Sequence, residues 1–165
     1  MTQVFITGVA GLLGSTLARI LSIKGGYDIV GCDTFIGGIK ENVPPTVKLY
    51  DIDILNYDAL KEAMKHTDIV FHTAALPYEG LSVFSPKITV ESIVPGTVSV
   101  AAAALANDVK LFINCSSMAR YGAQKPPFIE TMPTAPQDPY GLAKVQAEQH
   151  LALLNKLHGL NYVTL

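Results

Sequence analysis

Three glycines between an apolar run and an amphipathic segment restrict the fold of this chain more than any other feature. Residues 3–21, QVFITGVAGLLGSTLARIL, have the pattern of a buried strand, a turn and a helix. Glycine weakens strands and helices, so its repetition in the turn indicates an approach too close for side chains. We interpret Gly8 as permitting the turn, Gly11 as admitting a pyrophosphate, and Gly14 as allowing close packing of the helix on the strand.

An acidic residue at the end of the next strand bears on the identity of the ligand. Taken alone, the glycine motif is weak, because small residues could serve only to pack the helix closely on the sheet. Asp33 ends the second apolar run, where a carboxylate can accept hydrogen bonds from the hydroxyls of an adenosine ribose. Its charge repels a 2′-phosphate, so the two features together predict NAD rather than NADP. An ordinary turn residue at a strand end is the alternative interpretation of Asp33.

Strand and helix patterns alternate along the whole chain. The predicted strands cover residues 3–7, 27–33, 47–53, 68–75, 109–117 and 161–165. The predicted helices cover residues 12–24, 57–66, 83–107 and 139–159, and a proline-rich loop covers 119–138. This alternation predicts an α/β fold, a Rossmann-type doubly wound parallel sheet with strand order 3-2-1-4-5-6 and helices on both faces.

A second pattern, PYGLAK, brings two reactive side chains together. Tyr140 and Lys144 are four residues apart in a helical stretch and therefore share one face. An ammonium beside a phenol favours the phenolate, which can act as a general base. Ser116 and Ser117 follow a strand, at the sheet edge where ligands bind in such folds. Tyrosine and lysine at this spacing are also common without any function, and a serine pair after a strand is also typical of a turn or a helix cap.

Five segments, in order along the chain, resemble motifs of the extended short-chain dehydrogenases/reductases, in particular their NAD-dependent sugar-nucleotide epimerase/dehydratase group. TGVAGLLG resembles TGxxGxxG, and DIVFHTAA resembles DxVxHxAA. YDIDILNYDAL resembles the segment whose acidic and apolar pair contacts the adenine. SSMARYG resembles SSxxVYG, and DPYGLAKVQAE resembles the start of the YxxxK helix. The resemblance covers essentially the whole chain and implies an NAD-binding Rossmann domain over residues 1–165.

The resemblance also implies which residues act. Ser117, Tyr140 and Lys144 correspond to the catalytic set: Tyr140 removes the proton of a sugar hydroxyl, Lys144 holds the ribose, and Ser117 hydrogen-bonds the reacting oxygen. No metal site is implied. The implied cofactor-binding residues are Gly8, Gly11, Leu12, Leu13, Gly14, Asp33, Asp53, Ile54, Thr73, Ala74, Ala75, Leu76, Ser92, Ser117, Tyr140 and Lys144.

Several positions depart from the family pattern. The segment SIVPGT resembles the helix motif NVxGT, with Ser92 assigned to the usual asparagine and Pro95 inside the helix, where it should cause a kink. Arg120 replaces a usual valine, and Pro77 stands where many relatives carry lysine. These departures leave the substrate more open than the cofactor.

The resemblance implies a 4-epimerase, which oxidises a nucleotide sugar to a keto intermediate and then returns the hydride. Dehydratases of the group carry Thr-Asp-Glu where this chain has Ser117, Met118 and Ala119, which argues against elimination chemistry. An NAD(P)-dependent dehydrogenase or reductase is an alternative, because it shares the catalytic set. A non-catalytic NAD-binding module is another. Relatives are longer and continue into a substrate-binding domain, so we expect the 165 residues to be a fragment that binds NAD without turning over a sugar nucleotide.

Composition and charge narrow the partners. A net charge of −2 without a basic cluster argues against nucleic acid. The chain lacks a basic leader, and no apolar run reaches the length of a membrane span, which predicts a soluble cytoplasmic protein without membrane contact. Cys32 and Cys115 lie in apolar runs and are predicted to be buried free thiols. Helices 83–107 and 139–158 carry more apolar residues than one buried stripe needs, and in relatives they form a homodimer interface.

Overall fold

The computed structural model describes residues 1–165 as a six-stranded sheet in which every neighbouring pair is parallel, in the order 3-2-1-4-5-6. The predicted architecture is therefore confirmed. Apolar runs without strict alternation suit such strands because helices and loops cover both faces. The strands are β1 (Thr2–Thr7), β2 (Tyr27–Asp33), β3 (Lys48–Asp51), β4 (Ile69–His72), β5 (Leu111–Asn114) and β6 (Tyr162–Thr164).

Local signals set the ends of the helices. Asp138 caps the last helix, its side chain accepting a hydrogen bond of 2.8 Å from the Gly141 N–H, and Pro139 occupies the first turn, where no donor is needed. Gly159 ends the same helix in the left-handed conformation. The helices are α1 (Leu12–Lys24), α2 (Tyr57–Ala63), α3 (Glu79–Ser82), α4 (Pro86–Ala106) and α5 (Pro139–His158).

The helices cover the two faces of the sheet unequally. On one face α1 packs over β1 and β2, in a cluster that includes Ile6, Ala18 and Ile29. On the other face α2, α4 and α5 enclose the larger core, which includes Phe5 and Phe112. This arrangement follows from right-handed crossovers, because the chain moves across the sheet in opposite directions on either side of β1.

Helix α4 begins at Pro86, three residues later than predicted, and one further prediction fails for it. It continues through Pro95, although proline removes one backbone donor. Its 21 residues are long enough to cross a membrane, and one 18-residue stretch of the helix has a mean hydropathy of 1.6, so by length and composition alone the helix could span one. The prediction that no apolar run reaches that length is therefore wrong for this helix. In the structure it packs against α2, α5 and β4 as a helix of the core.

Strand pairing is shorter than the apolar runs. The predicted strands 68–75 and 109–117 pair only as β4 and β5. Beyond these strands the chain leaves the sheet and turns along its carboxyl edge, and this is where ligands bind in open α/β folds. The predicted loop 119–138 overlaps a short 3₁₀ helix, Met118–Tyr121.

Candidate functional site

A cavity of about 560 Å³ runs along the carboxyl edge of the sheet. Its walls come from the turns after β1, β2, β4 and β5, from the segment after β3, and from α4 and α5. Among the predicted cofactor-binding residues only Ser117 does not line it. The predicted residues that do are Gly8, Gly11, Leu12, Leu13, Gly14, Asp33, Asp53, Ile54, Thr73, Ala74, Ala75, Leu76, Ser92, Tyr140 and Lys144.

At two positions of the glycine turn, Gly8 and Gly14, there is no room for a side chain. Gly8 has a φ of 69°, and a Cβ there would lie 2.8 Å from the Cα of Ala74. A Cβ on Gly14 would collide with the carbonyl of Gly8. Gly11 precedes α1 and lines the cavity, as an approaching ligand would require.

Backbone donors at the start of α1 are free to bind an anion. The N–H groups of Leu12, Leu13 and Gly14 have no acceptor within the protein. The first N–H groups of a helix lack partners in the helix itself, and the helix dipole adds positive potential at that end. A phosphate group suits these donors because each of its oxygens can accept several hydrogen bonds.

Asp33 is held against the glycine turn. One of its carboxylate oxygens accepts the N–H of Ala10 at 2.9 Å, and the other accepts the N–H of Phe35 at 2.8 Å. Both oxygens keep further lone pairs for ligand hydroxyls. The neighbouring Cys32 is fully buried, and burial, reinforced by the negative charge of Asp33, raises the pKa of its thiol to about 12.

A buried hydrogen-bonded chain connects the glycine turn to α4. His72 Nδ1 lies 2.8 Å from the Thr7 hydroxyl, and Nε2 lies 3.0 Å from the Thr97 hydroxyl. The Thr7 hydroxyl also accepts the N–H of Ala74. Burial, with a smaller contribution from the positive charge of Lys144, lowers the pKa of His72 to about 3. A neutral imidazole satisfies both contacts, since one ring nitrogen accepts and the other donates.

Tyr140 and Lys144 meet as the helical spacing predicts. The Lys144 ammonium lies 5.7 Å from the centre of the Tyr140 ring and donates a hydrogen bond of 2.8 Å to the carbonyl of Cys115. Both side chains are 8% exposed, and both line the cavity. Burial lowers the pKa of Lys144, although nearby Cys115 and Glu148 act in the opposite direction.

The two serines after β5 have different partners. The Ser116 hydroxyl lines the cavity and donates to the carboxylate of Glu148, whose other oxygen lies 3.0 Å from the Arg120 guanidinium. Ser117 does not line the cavity, and its hydroxyl accepts the N–H of Ala119 at 3.1 Å. The arginine that replaces a usual valine thus joins the turn after β5 to α5.

Sequence reasoning missed several cavity residues because segments far apart in sequence, most of them loops, come together only in the fold. Counted back from Gly96 and Thr97, the first position of NVxGT is Ile93, which is buried beside Tyr140, and Ser92 lies one residue earlier. Ser116, which the sequence placed at the ligand-binding edge, also lines the cavity, and the missed residues are Cys32, Thr34, Ile36, Gly37, Gly38, Ile52, Leu55, Pro77, Tyr78, Ile88, Glu91 and Cys115. The apolar run ending at Cys32 and the pair Gly37–Gly38 were the available signals.

Known proteins resemble the chain over nearly all of its length. A model of the NAD dependent epimerase/dehydratase family matches residues 4–165. The UDP-glucose 4-epimerase of Lactobacillus helveticus is 32% identical, and the match covers 99% of this chain and 50% of that protein. The enzyme of the same name from Streptomyces lividans is 29% identical, with 96% and 49% covered. The chain thus spans about half the length of the curated relatives it matches.

Solved structures of similar proteins superpose closely on this chain. The UDP-glucose 4-epimerase of Brucella ovis, in complex with NAD, superposes with a TM-score of 0.94 and 34% identity, covering 99% of this chain and 51% of that one. The Thermotoga maritima UDP-glucose 4-epimerase with UDP-glucose also gives 0.94, at 27% identity, with 99% and 54% covered. The family match spans nearly the whole sequence, and the chain belongs to the NAD-dependent epimerase/dehydratase family, a family of enzymes that use NAD.

Proposed function

We propose that the cavity binds NAD along the carboxyl edge of the sheet and that this chain supplies the cofactor site and catalytic residues of a nucleotide-sugar 4-epimerase. One observation carries the proposal: free N–H groups, the Asp33 carboxylate and the Tyr140–Lys144 pair converge on one cavity. The N–H groups suit a pyrophosphate and the carboxylate suits a ribose diol. Asp53 and Ile54 line the same cavity and suit the adenine end.

Tyr140 is the proposed acid and base. As phenolate it takes the proton of a sugar hydroxyl, and as phenol it returns the proton to the oxygen. The buried Lys144 ammonium supports the phenolate electrostatically. One of its three N–H donors binds the Cys115 carbonyl, which leaves two for ribose hydroxyls. Bound NAD supplies a ring that accepts a hydride from the sugar carbon and can give it back.

Ser117 is the proposed donor to the reacting sugar oxygen, although it does not line the cavity. Its oxygen accepts a backbone N–H, so its position is fixed while its own hydrogen remains available. The hydroxyl of Ser116 is already engaged with Glu148. This difference favours Ser117 over Ser116 for the catalytic hydrogen bond.

The residues beside Ser117 support epimerisation over elimination. Met118 is 69% exposed and Ala119 is buried, and neither side chain can donate or accept a proton. A dehydratase needs an acid and a base at this place for loss of water. A dehydrogenase or reductase of the same family remains the second candidate, because Ser117, Tyr140 and Lys144 would serve it equally.

The two candidates differ in the fate of the reduced cofactor. An epimerase regenerates NAD within each cycle and keeps it bound, whereas a dehydrogenase releases NADH. We expect interconversion of UDP-glucose and UDP-galactose without NADH in solution when the longest natural form of the protein is loaded with NAD, and Tyr140→Phe should abolish it. Stoichiometric NADH in the medium would instead establish a dehydrogenase, and NAD binding without any turnover would establish a binding module.

Cofactor binding can be tested on the 165 residues directly. Calorimetric titration with NAD should give one site, and Lys144→Met should weaken binding by about tenfold or more, since a hydrogen bond to a charged group is lost. Lys156→Met, at an exposed position of the same helix, is the matched control and should bind like the starting protein. Equal effects of the two substitutions would contradict the proposed role of Lys144.

A nucleotide sugar as substrate, a homodimer and a cytoplasmic location complete the proposal. Exposed apolar side chains on α4 and α5 support self-association: Ile88, Leu142, Leu153 and Leu157 are 48–61% exposed. Both cysteines are free, which suits a reducing compartment. Sedimentation at high protein concentration tests the dimer, and a monomer would contradict it.

A further inference from the structure

Tyr78 extends from the segment after β4 toward the loop that follows β2. Its hydroxyl oxygen lies 3.4 Å from the position that a Cβ of Gly37 would occupy. Tyr78 and Gly37 both line the cavity, so the two loops meet at its rim. The Tyr78 hydroxyl has no hydrogen-bond partner in the protein, and 47% of the residue is exposed.

The loop that Tyr78 meets is itself fixed against the glycine turn. A Cβ on Gly38 would lie 2.8 Å from the Cβ of Ala10, and the N–H of Ile39 donates to the Ala10 carbonyl at 3.0 Å. Ala10 belongs to the turn whose free N–H groups face the cavity. Tyr78, the 37–39 loop and the glycine turn are therefore contiguous around one end of the cavity.

Neither the backbone nor the contact with Tyr78 requires glycine at position 37. Its φ is not in the left-handed region, so the backbone alone does not require glycine there. A Cβ at this position would lie at ordinary van der Waals distance, 3.4 Å, from the Tyr78 hydroxyl, so the observation that counts is the closeness of the two loops.

We propose that Tyr78 is a cofactor-binding residue that closes the cleft over the pyrophosphate, with its ring as cover and its hydroxyl as a donor to a phosphate oxygen. The proposal rests on the proposed function in that NAD occupies the cavity. A phenol donor to an anionic oxygen is a charge-assisted hydrogen bond and is stronger than one between neutral groups. A cover at this place slows release of the cofactor, which an epimerase needs because it must keep NADH through each cycle.

The rate of NADH release measures this effect. NADH is itself fluorescent, so a stopped-flow instrument can follow its displacement by excess NAD directly. Tyr78→Ala should raise the dissociation rate about tenfold, because changes at one binding site act mostly on that rate. Tyr57→Ala removes a tyrosine of similar exposure, 38%, away from the cavity, and should leave the rate unchanged.

Two further arms separate the parts of the proposal. Tyr78→Phe keeps the cover and loses the donor, so its dissociation rate should lie between those of the starting protein and Tyr78→Ala; a rate equal to that of the starting protein would overturn the hydrogen bond. Tyr78→Ala should weaken the binding of ADP, which carries the pyrophosphate, and should leave the binding of adenosine unchanged. An equal loss for adenosine would overturn the position assigned to Tyr78.

The result also distinguishes this proposal from the proposed function. If the starting protein does not bind NAD, the proposed function fails. If NAD binds and NADH leaves the Tyr78→Ala variant at the same rate as it leaves the Tyr57→Ala variant, only the role of Tyr78 fails.

Discussion

Replacing Gly8 by alanine should impair both stability and cofactor binding, and the structure allows the two causes of instability to be separated. Gly8 has a φ of 69°, in a region that costs an alanine about 1–2 kcal/mol. The new methyl group would also lie 2.8 Å from the Cα of Ala74 and 2.9 Å from its nitrogen. These are backbone atoms and cannot turn aside as a flexible side chain could.

Gly159→Ala isolates the conformational part of this cost. Gly159 has a φ of 72° and caps α5, but a Cβ there would have nothing within 4 Å. We expect Gly159→Ala to lower the free energy of unfolding by about 1 kcal/mol. Gly8→Ala adds the displacement of Ala74, for which overpacking in well-packed sites suggests about 1–3 kcal/mol more. Together these amount to a large part of the stability of a typical domain.

Urea unfolding followed by circular dichroism gives both free energies, and calorimetry gives NAD binding. Ala74 lines the cavity, so Gly8→Ala should reduce NAD affinity even where the protein is still folded, whereas Gly159→Ala should bind NAD normally. The close packing of the glycine turn on the segment after β4 would be refuted if Gly8→Ala destabilised the protein no more than Gly159→Ala does and left the NAD affinity unchanged.

Three further outcomes are expected. Asp33→Ala should lower NAD affinity and reduce the preference over NADP, measured by paired titrations; an equal affinity of the starting protein for both cofactors would contradict the role of Asp33. His72 has a folded-state pKa of about 3, below its ordinary value of 6.5, so the unfolded chain binds the extra proton first as the pH falls. Stability should therefore be complete above about pH 6.5 and decrease by about 1.4 kcal/mol per pH unit toward pH 3, and His72→Gln should show a flatter dependence in acid titrations followed by circular dichroism. His72 stays neutral in the folded protein well below pH 5, so between pH 7 and pH 5 NAD binding should depend on pH equally in His72→Gln and in the starting protein, relative to each variant's own affinity at pH 7; a weaker dependence in His72→Gln would show that His72 gains its proton in the folded protein above pH 5 and would contradict the low pKa.

The fold could be predicted because its signals are periodic and local. Alternation of apolar runs with amphipathic helices fixes a parallel sheet, and right-handed crossovers leave few strand orders. The glycine turn and the Tyr140–Lys144 spacing each lie within one element and its adjoining turn, so their geometry follows from the chain itself. Strand ends were less accurate, because pairing with neighbours decides where β4 and β5 end.

The rim of the cavity could not be predicted, for the opposite reason. The meeting of Tyr78 with Gly37 depends on two loops that are about 40 residues apart in sequence and touch only across the folded cleft. The different partners of Ser116 and Ser117 likewise depend on Glu148, a residue of α5. No local pattern shows which of two adjacent serines will be engaged by a distant carboxylate.

The two motifs that begin and line the cofactor site are one structural unit despite their separation in sequence. In the register of β1 on β4, Thr7 lies opposite His72, so the residues that follow both strands emerge side by side. The Thr7 hydroxyl then accepts the Ala74 N–H, while the Thr73 hydroxyl donates to the Thr7 carbonyl at 2.6 Å. Gly8 must lack a side chain because Ala74 passes directly over it. The geometry therefore couples the turn to the segment after β4, because a side chain at position 8 would require the backbone at Ala74 to move.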